Sequence, residues 1–199
     1  GVVPVLRDVV ADLPNVTVVE ADAMATDWGA MLAGSEAWTL VANLPYNVAT
    51  PLVCDLLDDV PSIRSMLVMV QREVAERLAA PPGSKQYGAV SVKVAYWAKA
   101  AVVGLVPASV FVPRPNVESA LVRIDRRDPP ATDRTVLFHL VRTAFGQRRK
   151  MLRRSLAGEV SADVYEVAGV SPEARPEQLG LDEWCRLSDA VVAQGGTVA

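Results

Sequence analysis

The sequence predicts an α/β fold, a sheet covered by helices on both faces, followed by a small helical domain. Three observations carry this reading. Up to about residue 128, short and almost continuously apolar runs alternate with helix-like stretches, as in strands buried on both faces. After Asp128-Pro129-Pro130 only helical patterns remain. Apolar residues make up 51% of the 199 residues, enough for a real core in one domain or one domain with an appendage. The expected division is 1–128 and 129–199.

In chain order, Val16, Val18 and Val19 with Thr17 predict a short strand over 16–19, and Trp-Thr-Leu-Val-Ala a buried strand over 38–42. Residues 49–60 read as a helix, with Thr50 as N-cap and Pro51 at the first helical position. Its apolar stripe is Leu52, Val53, Leu56, Leu57 and Val60. A third strand is expected over 66–70, then a helix over 71–80 stopped by Pro81, Pro82 and Gly83. The stretch 88–98 fits either a strand or a helix. Strands follow at 101–106 and 119–124. Beyond the linker, helices are expected over 133–145, 147–156, 162–168 and 182–193, with Trp184, Leu187 and Val191 sharing a face of the last.

Composition excludes several classes. No run reaches the ~18 apolar residues of a membrane helix. Residues 1–6 are apolar without a preceding basic region, so no signal peptide is expected. Cys54 and Cys185 each lie among apolar residues and read as buried reduced thiols, in keeping with a cytoplasmic setting. With these two and the single His139, which reads as structural, no metal site is expected. The net charge is −3, yet between Arg134 and Gly158 there are seven basic residues and no acidic one. Five of them, Arg148, Arg149, Lys150, Arg153 and Arg154, crowd into one short segment, which suits contact with phosphates as well as it suits a solvated helix face.

The most informative segment is Asn43-Leu44-Pro45-Tyr46, at the carboxyl end of the second strand, where ligands bind in open α/β sheets. The exocyclic amine of adenine is a poor nucleophile because its lone pair is delocalised into the ring. Two acceptors aimed at its two hydrogens free that lone pair, and the Asn43 side-chain carbonyl and Leu44 backbone carbonyl suit the task. Proline holds the turn rigid, and Tyr46 offers a face for a base to stack on, worth roughly 1–3 kcal/mol. An ordinary strand-to-helix turn is the other reading of the tetrad.

Other motifs bear on that choice. They are Asn43-Leu44-Pro45-Tyr46-Asn47 with Thr50-Pro51-Leu52, Gln71-Arg72-Glu73-Val74-Ala75-Glu76-Arg77, and Gly83-Ser84-Lys85-Gln86-Tyr87-Gly88. Phe111-Val112-Pro113-Arg114-Pro115-Asn116-Val117-Glu118-Ser119 and Ala144-Phe145-Gly146-Gln147-Arg148-Arg149-Lys150 follow. Together, over essentially the whole chain, the sequence resembles the small-subunit ribosomal RNA adenine dimethyltransferases. The resemblance implies a Rossmann-like sheet that uses S-adenosylmethionine as methyl donor, adenines of small-subunit rRNA as substrate, and the immature small ribosomal subunit as partner, with no membrane and no metal. It implies that Asn43, Leu44, Pro45 and Tyr46 form the catalytic tetrad and that Phe111 helps sandwich the flipped adenine. On its residues alone Phe111 reads as a core aromatic. Asp22 is implied to hydrogen-bond the adenine amine of the cofactor, Asn43 to border the cofactor site, and the basic segment Arg148 to Arg154 to touch RNA or pack on the neighbouring domain. Arg72, Arg77 and Lys85 would extend a basic rim.

The chain departs from the family at its start. The glycine-rich loop after a first strand, the acid that binds the ribose, and the N-terminal arm are absent from this sequence. The expectation is an N-terminally truncated enzyme whose sheet lacks its first strands, inactive on its own and with an incomplete cofactor site. Exposed strand edges would favour oligomers. A non-catalytic ribosome-assembly or RNA-binding factor is the alternative, and a relative acting on DNA or large-subunit rRNA a third reading.

Overall fold

A computed structural model describes residues 1–195, so the last four residues of the expected helical domain lie outside the description. A helix α1 (Val2–Val9) opens the chain and a single turn α2 (Trp28–Met31) follows. Strand β1 (Trp38–Asn43) leads through the tetrad into helix α3 (Ala49–Asp59), and β2 (Ile63–Gln71) into α4 (Arg72–Leu78). Helix α5 (Ala89–Trp97) runs directly into β3 (Ala98–Val106), and β4 (Ser119–Arg126) completes the sheet. Helices α6 (Arg134–Gly146), α7 (Leu152–Ser155), α8 (Ala162–Ala168) and α9 (Leu181–Ala193) follow.

The sheet order is β1-β2-β4-β3. Strands β1 and β2 are parallel, while β4 runs antiparallel to both β2 and β3. The carboxyl ends of β1 and β2 therefore lie beside the start of β4, where Gln71 pairs with Ser119 and Val106 also pairs with Ser119. Between Val102 and Gly104 the ladder shifts register, a bulge that leaves one residue unpaired. Strand β1 has β2 on one side and, among the described residues, no strand on the other.

Two cores form. One, under the sheet, gathers Leu52, Val53, Leu56 and Leu57 of α3 with Met66, Val68 and Val70 of β2 and Ala120, Val122 and Ile124 of β4. The other joins α6 to α9 around Leu137, Leu140, Trp184 and Leu187. Helix α5 serves both: Val92 and Tyr96 enter the helical core and Val94 the sheet core. Burial on both sides explains why its sequence shows no single apolar stripe and why strand and helix could not be separated there.

Three expectations are corrected. Residues 16–19 form no strand. They have no ladder partner, and Val16 and Val19 are 41% and 55% exposed. The N-cap of α3 is Val48, not Thr50. The Pro45 carbonyl accepts from the amides of both Val48 and Ala49 and starts the helix early. Pro51 then falls inside the first turn, where its missing N–H costs nothing. The helix expected over 147–156 is broken into a turn at 147–150 and the single turn α7. The Leu152 and Arg153 amides donate instead to the carbonyls of Ala174 and Pro172, so tertiary hydrogen bonds override local propensity. Helix α1, for which no expectation stands, buries none of its residues, and Val2, Val5 and Val9 are 79%, 61% and 74% exposed. The remaining helices and strands lie within a few residues of their expected bounds.

Candidate functional site

Past the end of β1 the ladder continues for one bond, from the Leu44 amide to the Met69 carbonyl at 3.1 Å. The Leu44 side chain is buried in the sheet core, while Asn43 and Pro45 on either side are exposed. The turn is thus anchored by one residue and open at the next. Neither the Asn43 side chain nor the Leu44 carbonyl has a hydrogen-bond partner among the described residues. Two acceptors therefore stand free at adjacent positions at the carboxyl end of a parallel strand.

Tyr46 is half-buried and belongs to neither core. Its hydroxyl lies 3.0 Å from the hydroxyl of Ser119 at the start of β4. Ser119 also ends the long loop from β3 that carries Phe111. Phe111 is half-buried and again outside both cores, which removes the reading as a core aromatic. The foot of this loop is clamped to the start of α4. The Arg72 amide donates to the Glu118 carbonyl at 2.9 Å, and its guanidinium to the Glu118 carboxylate at 2.8 Å and the Glu76 carboxylate at 2.9 Å. Arg77 is bound to Glu73 at 2.6 Å. Arg72 and Arg77 are therefore paired with carboxylates on the surface; Lys85 alone of the three makes no ion pair among the described residues.

Asp22 opens a turn. One carboxylate oxygen accepts from the Met24 amide at 2.8 Å, and its backbone carbonyl accepts from the Thr26 hydroxyl at 2.7 Å and the Ala25 amide at 3.0 Å. Trp28 donates its indole N–H to the Ala23 carbonyl at 2.9 Å. Ala23, Trp28 and Leu32 pack against the same core as Leu44, so this turn and the tetrad share a foundation. The second carboxylate oxygen of Asp22 has no partner among the described residues.

The basic segment splits in two. Arg148 donates to the Lys85 carbonyl at 2.8 Å and faces the Glu177 carboxylate at 3.5 Å, tying the turn after α6 to the loop after α4. Arg153 faces Glu173 at 3.6 Å in a largely exposed pair. Arg149, Lys150 and Arg154 are exposed and make no ion pair among the described residues. His139, expected to be structural, contacts Glu159 at 2.7 Å. No group of three or more His, Cys, Asp or Glu arranged to hold a metal occurs among the described residues, and no described helix is long and apolar enough to cross a membrane.

Two contributors escaped sequence reasoning. Ser119 lies inside a quoted motif, but nothing in a lone serine signals that it meets Tyr46, 73 positions away. Arg126 reads as one charge in a basic pair, yet it donates to the carbonyls of Ile63, Leu57, Leu56 and Val60.

Known proteins share this fold. A family model described as ribosomal RNA adenine dimethylase matches residues 2–192. The chain is 51% identical over 158 residues to a ribosomal RNA small subunit methyltransferase A of Acidothermus cellulolyticus, covering 76% of this chain and 54% of that protein. It is 37% identical over 199 residues to the protein of the same name from Clostridium perfringens, covering 96% of this chain and 70% of that one. The chain thus spans between 54% and 70% of the length of these relatives. Among solved structures, a dimethyladenosine transferase from Plasmodium falciparum superposes with a TM-score of 0.81 at 23% identity, covering 96% of this chain and 77% of that one. The 23S rRNA methyltransferase ErmE gives 0.73 at 22% identity, with 96% and 78% covered. Both share the fold, a Rossmann-like methyltransferase sheet with helices. The family model and the curated relatives settle the affiliation: the chain belongs to the ribosomal RNA adenine dimethylase family.

Proposed function

We propose that this chain carries the base-capturing half of an rRNA adenine dimethyltransferase, with Asn43, Leu44, Pro45, Tyr46 and Phe111 at its catalytic centre. The observation that carries this reading is the pair of unpartnered acceptors, the Asn43 side-chain carbonyl and the Leu44 carbonyl, beside Tyr46. An adenine stacked on Tyr46 presents its amine to both. Each accepts one N–H, which draws the lone pair out of the ring and aims it away from the protein. Catalysis is then positioning plus fixed dipoles. Pro45 keeps the tetrad from adding a competing donor. Phe111, on the loop that ends at Ser119, closes on the other face of the base.

Of the residues present, Asp22 fits the adenine end of S-adenosylmethionine, and Asn43 borders the cofactor site. Asp22 offers a carboxylate oxygen to the adenine amine, from a turn fixed to the tetrad's own core. When bound, the cofactor supplies a methyl group on a positively charged sulfur, and its transfer leaves a neutral thioether. Asn43 and Leu44 therefore need not remove a proton before attack. Held by these two acceptors, the amine would face that methyl group with its lone pair free, and one N–H proton would leave to solvent past the exposed Asn43.

The substrate on this reading is adenine in a small-subunit rRNA loop, where an unpaired base is cheaper to extrude. The immature small subunit is the partner and the cytoplasm the setting. Residues 1–128 form the methyltransferase part and the following helices a domain that binds RNA or packs on it. Arg149, Lys150 and Arg154 are the members of the basic segment free to meet phosphates; Arg148 and Arg153 join them only in part. Asn43→Ala tests the reading in a chimera bearing the N-terminal segment of the Acidothermus cellulolyticus relative: methyl transfer should fall while subunit binding survives. The non-catalytic assembly factor predicts that neither changes.

A further inference from the structure

Three strand ends converge at Ser119. It pairs with Gln71 at the end of β2 and with Val106 at the end of β3, and it begins β4. Its side chain is 1% exposed, and the hydroxyl within reach is that of Tyr46. Tyr46 follows β1, which is separated from β4 by the whole of β2. The turn after β1 and the tyrosine side chain together therefore reach past the end of β2 to this serine. A tyrosine in a loose turn would not need such a partner. This one is held at its far tip, while Leu44 holds the near end of the turn in the core.

Ser119 is also the foot of the loop carrying Phe111, the foot that Arg72 clamps through Glu118. The hydroxyl pair therefore ties the first aromatic of the site to the base of the segment that carries the second. We propose that Ser119 is a positioning residue: its hydroxyl fixes the tilt of the Tyr46 ring relative to the Phe111 loop, and so sets the width of the slot that receives the target base. This rests on the reading of Tyr46 and Phe111 as base-stacking groups. A buried serine that merely satisfied the phenol would matter for stability alone. A positioning serine matters for how the captured base meets the methyl donor, because misplacement of about 1 Å costs up to ~10²-fold in rate.

Ser119→Ala, Tyr46→Phe and the double variant separate these roles. The phenylalanine keeps the ring and removes the hydroxyl, and the alanine leaves the β4 ladder intact. One probe is an rRNA hairpin carrying 2-aminopurine next to the target adenine, whose unstacking reports capture of that base, titrated onto this chain and followed by fluorescence for base capture and by anisotropy for binding. The other is kcat and KM for methyl transfer in a chimera bearing the N-terminal segment of the Acidothermus cellulolyticus relative. Each single variant should lower kcat roughly 10-fold with KM within about 2-fold. Each should also shrink the fluorescence change at unaltered anisotropy, and the double variant should match either single one. A Ser119→Ala protein with the parent's kcat and fluorescence, or effects that add in the double variant, overturns the inference. A chimera without methyl transfer overturns the enzyme reading instead, and the fluorescence arm then decides the role of Ser119 alone. A parent chain that leaves the fluorescence unchanged overturns both.

Discussion

The guanidinium of Arg126, on β4, donates to the carbonyl of Val60, the residue that closes α3, at 3.2 Å. The same group reaches the carbonyls of Leu56 at 3.1 Å, Leu57 at 2.9 Å and Ile63 at 3.0 Å. Leu56, Leu57 and Val60 lie at the end of α3, at the negative pole of its dipole, where the Leu56 carbonyl also accepts from the Val60 amide and the Val60 carbonyl from the Ile63 amide. Helix α3 starts at the tetrad, so its two ends are fixed by different devices: Leu44 in the core and Arg126 at the opposite pole.

Arg126→Ala should therefore destabilise the protein by about 2–4 kcal/mol, since several buried acceptors lose a charged donor together. Arg126→Lys should recover only part, because one ammonium cannot serve four carbonyls. Urea unfolding reads both. Equal midpoints for parent and alanine variant would contradict this role.

Cys54, in α3, is held as a neutral thiol. Burial pushes its pKa from 9.0 up to about 11, with Lys93 opposing and Asp58 and Asp55 reinforcing the shift. The native state thus binds this proton more tightly than the unfolded chain does. The resulting stability is fully present below pH 9 and is lost as pH rises from about 9 towards 11. Cys54→Ala should flatten the decline of urea midpoints across that window. In the native protein at pH 8 a thiol reagent should leave Cys54 unmodified, and unfolding should release it. Rapid labelling of Cys54 in the folded protein would contradict the burial.

The split basic segment gives a third expectation. Arg149→Ala, Lys150→Ala and Arg154→Ala should each weaken binding to small-subunit rRNA, and each phosphate left unneutralised should make the salt dependence shallower by roughly 0.7–0.9 in slope. Arg148→Ala should act differently, lowering the melting temperature because it frees the Lys85 carbonyl and Glu177. Titrations at several salt concentrations decide this. Uniform effects from all four variants would mean that the segment works as one surface.

Local chemistry made much of this legible. Asp133 was legible as the start of α6, and it does cap the amides of Thr135 and Val136. The apolar runs of β1 and β2 marked the strands, and the tetrad stood at the end of the first of them. What escaped depends on distant partners. Val16 to Val19 has strand chemistry but no strand to pair with. Residues 147–150 have helix chemistry, yet the amides that follow them are claimed by Pro172 and Ala174. Arg72 and Arg77 looked like free cations until Glu118, Glu76 and Glu73 were placed beside them. Only folding puts the Ser119 hydroxyl at the tip of Tyr46.

The central claim, that Asn43 to Tyr46 is the centre of methyl transfer, is tested most directly with labelled S-adenosylmethionine and unmethylated small subunits. Three proteins are compared: this chain, the chimera with the Acidothermus cellulolyticus N-terminal segment, and that chimera with Asn43→Ala. The chimera should transfer label. This chain should transfer little or none, and the alanine variant should lose roughly 10²–10³-fold in kcat while still binding subunits. A chimera that binds subunits yet transfers nothing, or an alanine variant as active as its parent, would contradict the account and leave the assembly-factor reading in its place.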